Sequence, residues 1–203
     1  MIIFSANNRK KVFTVGRYGA KITMEKVGVD MEIGVSSSCF YPELIEKSLE
    51  TVGHLGAKTA EIFFNSPSEL EGKVLKELCR IKDYYGIQIR SVHPFTSGYE
   101  PFLIFSSYSR RTNDSIDFYK RYFAAANELG AELVVLHGGR DRKGYTPELY
   151  AENYIKLHNE ARKSNLFIAQ ENVNNFYCSD PYIMKKIADA VLQNDPNFPI
   201  EFC

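Results

Sequence analysis

From Met31 onward the chain alternates short apolar runs with longer stretches in which apolar residues recur every three or four positions. The first run, Glu32–Ser36 (EIGVS), leads to a helix predicted over Pro42–Leu55. Pro42 stands in its first turn and Gly56 just past its end, the places where these two residues suit a helix. Thr59–Phe64 (TAEIFF) is the second run, and a helix from about Ser68 to Tyr85 follows, stopped by Gly86. Leu70, Val74, Leu78 and Ile81 fall at helical spacing there and mark the face turned to the core. Ile87–Val92 (IQIRSV) is the third run. A helix over about Asn113–Leu129, closed by Gly130, precedes the fourth, Leu133–Leu136 (LVVL). The helix Pro147–Lys163 precedes the fifth, Leu166–Ala169 (LFIA). A last helix, about Pro181–Leu192, leads through Pro196 and Pro199 to Ile200–Cys203, which reads as a sixth strand. The letters themselves repeat: Leu55–Gly56–Ala57 precedes the second strand and Leu129–Gly130–Ala131 the fourth.

Strands alternating with helices of this length imply right-handed βαβ crossovers and a parallel sheet. A closed (β/α)8 TIM barrel takes eight such units and roughly 250 residues; only six fit in this chain. The expectation is an α/β fold forming an incomplete barrel over residues 31–203, with an open doubly wound sheet as the alternative. Residues 1–30 stand outside the repeat. Lys11–Val15 and Lys21–Met24 flank Gly16 and Gly19 and read as a β-hairpin. That segment either caps the bottom of the barrel or is upstream sequence, Met31 being a natural start.

Composition narrows the partners. The chain of 203 residues has 44% apolar and 25% charged residues, ordinary for a globular protein. Lys plus Arg and Asp plus Glu are equal at 25 each, so no general attraction to nucleic acid or an anionic membrane is expected. No apolar run approaches the roughly 20 residues a spanning helix needs, and Met1–Phe4 is too short for a secretory segment. Cys39, Cys79, Cys178 and Cys203 are scattered without a C-x-x-C pair, which fits reduced thiols in a cytoplasmic protein. The composition leaves room for a homo-oligomer.

Parallel α/β folds gather functional groups at the C-terminal ends of their strands. The third strand ends in His93–Pro94–Phe95, the fourth in His137–Gly138–Gly139 and the fifth in Gln170–Glu171–Asn172. Two imidazoles and a carboxylate thus leave the same end of three consecutive strands, a donor set suited to a borderline divalent cation such as zinc, manganese or cobalt. Gln170 should face the opposite way from Glu171. A lone strand-end histidine is more often structural; three such groups at equivalent positions in successive units favour function. His54 and His158 lie within helices and are expected to be partly exposed there. Phe40, Tyr41, Phe64, Asn65, Phe95, Tyr99 and Asn172 are candidate pocket walls or substrate contacts, though the aromatics can equally pack the long loop Thr96–Ser107. Arg140, Arg142 and Lys143 can meet a phosphate or carboxylate, exposed charge beside Asp141 being the simpler reading.

The strand ends V-H-P-F, V-L-H-G-G and Q-E-N-V, in that order, resemble the xylose isomerase-like TIM-barrel superfamily, and within it the sugar phosphate isomerase/epimerase group. The resemblance covers about Met31 to Cys203. It implies a (β/α)8 barrel with a divalent metal (Mn, Mg, Co or Zn) at its mouth, held by a Glu, an Asp, a His and a Glu from strands five to eight. Glu171 matches the first of these; nothing here matches the other three, so the chain by itself is expected to be inactive. His93 and His137 match positions that contact substrate in the sugar enzymes and that ligate zinc in the apurinic endonuclease branch. The implied reaction is proton transfer beside the carbonyl of a small sugar or sugar phosphate, through an enediolate, with Glu171 as ligand and base and the histidines orienting the substrate. A zinc-dependent apurinic endonuclease-like hydrolase is the second reading, which the balanced charge disfavours. A non-catalytic fragment or binding module is the third.

Overall fold

The computed structural model describes residues 2–6, 31–140 and 145–203. Its strands are β1 (Ile2–Ala6), β2 (Met31–Ser36), β3 (Thr59–Phe63), β4 (Gln88–His93), β5 (Leu133–Leu136), β6 (Phe167–Gln170) and β7 (Glu201–Phe202). They form one sheet in sequence order, β2 to β7 parallel throughout. Strand-next-to-strand order without reversal is barrel topology, so the doubly wound alternative falls away. Six parallel strands alternating with helices make a partial TIM barrel. β1 was not anticipated: it pairs antiparallel along the outer edge of β2, from Ile2 opposite Val35 to Ala6 opposite Met31. The hairpin read from residues 11–24 lies outside the described residues.

The helices are α1 (Ile45–His54), α2 (Gly72–Tyr85), α3 (Ser109–Leu129), α4 (Pro147–Arg162) and α5 (Pro181–Asn194). Each packs on its successor and together they cover one face of the sheet. Thr146 and Asp180 cap α4 and α5, their side chains accepting from the backbone N–H groups of Leu149 and Tyr182, with a proline at the next position. Gly86 and Gly130 end α2 and α3 in the left-handed conformation, at φ 63° and 75°. The expected helix from Ser68 is broken. Pro67–Leu70 forms a separate 3₁₀ turn with a Ser66/Glu69 capping box, and Gly72 restarts the chain at φ 68°. α1 starts three residues later than the pattern suggested, because Leu44 is extended.

Strand alternation sorts the side chains. Ile62, Val92, Val134 and Ile168 are fully buried under the helices with Leu49, Leu78, Tyr122, Tyr150 and Tyr154. By the pairing register, Glu61, Phe63, Ser91, His93 and Val135 lie on the opposite face, which carries the polar groups. Glu61 is buried there and accepts from Ser36 Oγ at 2.8 Å and Ser91 Oγ at 3.0 Å, so both its oxygens are satisfied.

Candidate active site

Register brings the strand ends together. Leu136 pairs with Gln170, which sets His137 level with Glu171, and Val92 pairs with Val134, which sets His93 level with Val135, two residues before His137 on the neighbouring strand. Their Nε2, Nε2 and Oε2 atoms converge: His93 to His137 is 2.9 Å, His137 to Glu171 3.0 Å and His93 to Glu171 3.4 Å. Among the described residues this is the only group of three or more His, Cys, Asp or Glu side chains that gathers ligand atoms so closely.

The ring orientations are fixed by their neighbours. His93 Nδ1 lies 3.2 Å from the Pro94 carbonyl, which can only accept, so Nδ1 carries the proton and Nε2 turns its lone pair to the cluster. Phe63 stacks on His93 with centroids 4.4 Å apart, and Phe176 packs edge-on against His137 at 5.2 Å. His137 Nε2 faces the His93 lone pair and the Glu171 carboxylate, so it is the donor to both. Burial alone would raise the Glu171 carboxyl, but the hydrogen bond from His137 and the electrostatic influence of the two imidazoles outweigh it and bring it down to about 2. The carboxylate is therefore ionised at neutral pH, as a cation ligand must be.

These residues fit a divalent cation. Zinc bound tetrahedrally at about 2.0–2.1 Å separates its ligand atoms by about 3.3 Å; the three distances here differ from that by a few tenths of an ångström at most. Two imidazole nitrogens and a carboxylate oxygen are three ligands, the number that catalytic rather than structural zinc sites take from the protein.

Other expected site residues fall elsewhere. Phe95 packs against Phe118 and Tyr122 on α3, away from the cluster. Phe64 is fully buried against Tyr122, and Phe63, one position earlier, takes the place beside His93. Asn172 spends its amide on the carbonyls of Cys178 and Ser179, bracing the turn before α5. Asn65 is exposed and donates to the Phe63 carbonyl, and Phe40 is half-buried against the core. Tyr41 and Tyr99 are exposed. Arg140 lies over the Phe176 ring at 5.2 Å, whereas Arg142 and Lys143 lie outside the described residues. Gln170 does face away from Glu171: Tyr150 donates to it, and its amide donates to the Leu136 and His137 carbonyls. His54 is exposed and meets the Tyr85 hydroxyl. The expectation of an exposed His158 is overturned. It is fully buried between Tyr154 and Phe198 with neither ring nitrogen hydrogen-bonded.

Two residues at the site had no signal in the sequence. Phe176 sits in an irregular segment, and Glu100 in a loop turn. Glu100 is fully buried and accepts from the Tyr119 hydroxyl and the Gly138 N–H, each at 2.6 Å. Burial pushes its carboxyl up to about 8, against those hydrogen bonds.

Comparison with known proteins identifies the fold family. Residues 49–203 match the family model of the xylose isomerase-like TIM barrel. An uncharacterized protein of Methanocaldococcus jannaschii is 30% identical over 171 residues, covering 84% of this chain and 51% of that protein. Among solved structures, a D-tagatose 3-epimerase-like protein superposes with a TM-score of 0.62 at 22% identity, over 76% of this chain and 58% of that one. The 3-keto-D-glucoside 4-epimerase of E. coli gives 0.62 at 14% identity, over 83% and 66%. The chain spans about half the length of its curated relative and less than two thirds of the first of these structures.

Proposed function

Since the chain belongs to the xylose isomerase-like TIM-barrel family, we propose that its site serves a divalent-metal-dependent isomerase or epimerase of a small sugar or sugar phosphate. The observation that carries this is the convergence of His93, His137 and Glu171 on one point at the C-terminal ends of three adjacent parallel strands. The sugar epimerases among the fold's neighbours support the substrate class.

His93, His137 and Glu171 would hold a divalent cation, which would supply polarisation of the substrate carbonyl and stabilisation of the charge developing on its oxygen. The reaction removes a proton from the carbon beside that carbonyl and returns it to the same or the neighbouring carbon. Glu171, ionised and at the mouth, is the base of this chain placed to take it. Phe63 stacks on the His93 imidazole and Phe176 packs edge-on against that of His137, which orients both rings. Glu61 and Glu100 are not the second acid or base, for both are buried and fully engaged. Within this reading the four cysteines, none in a disulfide, fit a cytoplasmic enzyme.

Solvent exchange tests the proposal. Incubated in D₂O with a manganese salt and a ketohexose or its phosphate, the protein should place deuterium beside the carbonyl, seen by proton NMR. Glu171→Gln should abolish the exchange. Exchange that is equal in the variant contradicts the assignment.

A second reading has one observation in its favour: both histidines aim Nε2 into the cluster, as zinc ligands do in the apurinic endonuclease branch. Cleavage of an abasic-site oligonucleotide by the sample that fails to exchange deuterium would select it.

A further inference from the structure

Behind His137 lies a carboxyl that touches neither the cluster nor the solvent. Glu100 sits in the 3₁₀ turn Ser97–Phe102 after β4, and none of it is exposed. Leaving an acid there is costly unless its oxygens are well used. They are. Oε1 accepts from Tyr119 Oη, whose hydroxyl also meets Thr96, itself beside Tyr122 on the same helix. Oε2 accepts from the Gly138 N–H at 2.6 Å, and the His137 N–H adds a further hydrogen bond.

The other side of this peptide is closed too. Gly138 has φ 89°, and a Cβ there would run into the Tyr150 hydroxyl, so the backbone has no room to move away from Glu100. The His137–Gly138 unit is thus gripped between α3, through Glu100 and Tyr119, and α4, through Tyr150. β5 itself ends at Leu136, before the residue whose ring reaches the cluster.

We propose that Glu100 is a positioning residue: it clamps the His137–Gly138 backbone so that His137 Nε2 stays on His93 and Glu171 before any ligand arrives. Its action runs through the backbone of His137 and not through the ring. The placement of the ring is independent of what the site binds; only the cation readout below rests on the proposed function.

Three variants test it. Glu100→Leu removes both acceptors. Glu100→Gln keeps an acceptor for Gly138 N–H, while its amide can donate to a Tyr119 hydroxyl that turns to accept. Tyr119→Phe keeps the packed ring and removes one donor. The first readout is the imidazole ¹⁵N–¹H spectrum of the metal-free protein. In Glu100→Leu the His137 signals should shift or broaden while those of His54 stay, and Glu100→Gln should restore them. If Glu100→Leu does not fold, Tyr119→Phe should produce the same change in smaller degree. Unchanged His137 signals in a folded Glu100→Leu, or in Tyr119→Phe where Glu100→Leu does not fold, overturn the proposal. The second readout is Co²⁺ affinity, expected to fall about tenfold in Glu100→Leu and recover in Glu100→Gln, the loss typical of groups that orient a ligand. Failure of Co²⁺ to bind the unaltered protein would overturn the cation reading alone, and the ring spectrum would still decide the role of Glu100.

Discussion

Gly138 leaves no room for a side chain against Tyr150: a Cβ built on it would fall on the Tyr150 hydroxyl and within 3.2 Å of the ring. The same glycine has φ 89°, where an L-residue is strained. Gly138→Ala should therefore cost on the order of 2–4 kcal/mol, strain and overpacking together. Urea unfolding measures it. A loss below about 0.5 kcal/mol, the range of a neutral surface change, would mean that this contact is not held in solution.

Ser91 and Ser36 share the work of satisfying buried Glu61. Ser91→Ala strips one oxygen of its donor without changing the packing, and leaving a buried carboxyl oxygen without its partner should cost roughly 1–3 kcal/mol. Exposed Ser107→Ala is the control and should be silent. Equal stability of the two variants would show that Glu61 finds another donor.

His158 makes stability depend on pH. Burial, and to a smaller extent the nearby Arg162, lowers its pKa from 6.5 to about 4 in the folded protein. The unfolded chain therefore binds the proton first. The stabilisation is complete above about pH 6.5, is lost as pH falls from there, and levels off near pH 4, for a total of at most roughly 3 kcal/mol. His158→Leu removes the two unpartnered ring nitrogens. It should flatten the unfolding free energy between pH 6.5 and 4 and leave the variant the more stable of the two at pH 4.5. A pH profile unchanged by the substitution would contradict the assignment.

The periodic signals carried most of the fold. Glycines after helices, prolines at their starts and apolar runs between them placed β2 to β7 within a residue or two, because each is a local backbone requirement. Gly72 was missed because the apolar spacing of Leu70, Val74 and Leu78 runs across it, whereas a φ of 68° interrupts the helix. The pairing of β1 with β2 is a long-range contact without a local cue.

The cluster was legible for the same reason as the strands: His93, His137 and Glu171 occupy equivalent places in a repeat, at the C-terminal ends of adjacent parallel strands. Its surroundings were not. Phe63 and Phe64 are adjacent aromatics, and only the position of the strand end decides that Phe63 meets His93. Glu100 has no pattern around it, since the loop that buries it is shaped by Tyr119 and Gly138, both distant in sequence. His158 looked exposed because a polar residue on a helix usually is, yet it lies on the face that meets Phe167 and Phe198.

The most direct test is calorimetric titration of Zn²⁺ into the metal-free protein, beside His93→Ala, His137→Ala and Glu171→Gln. One cation should bind per chain, with affinity lowered at least tenfold by each substitution. No binding to the unaltered protein, or binding undiminished in all three variants, would show that the convergence of these side chains is not a metal site.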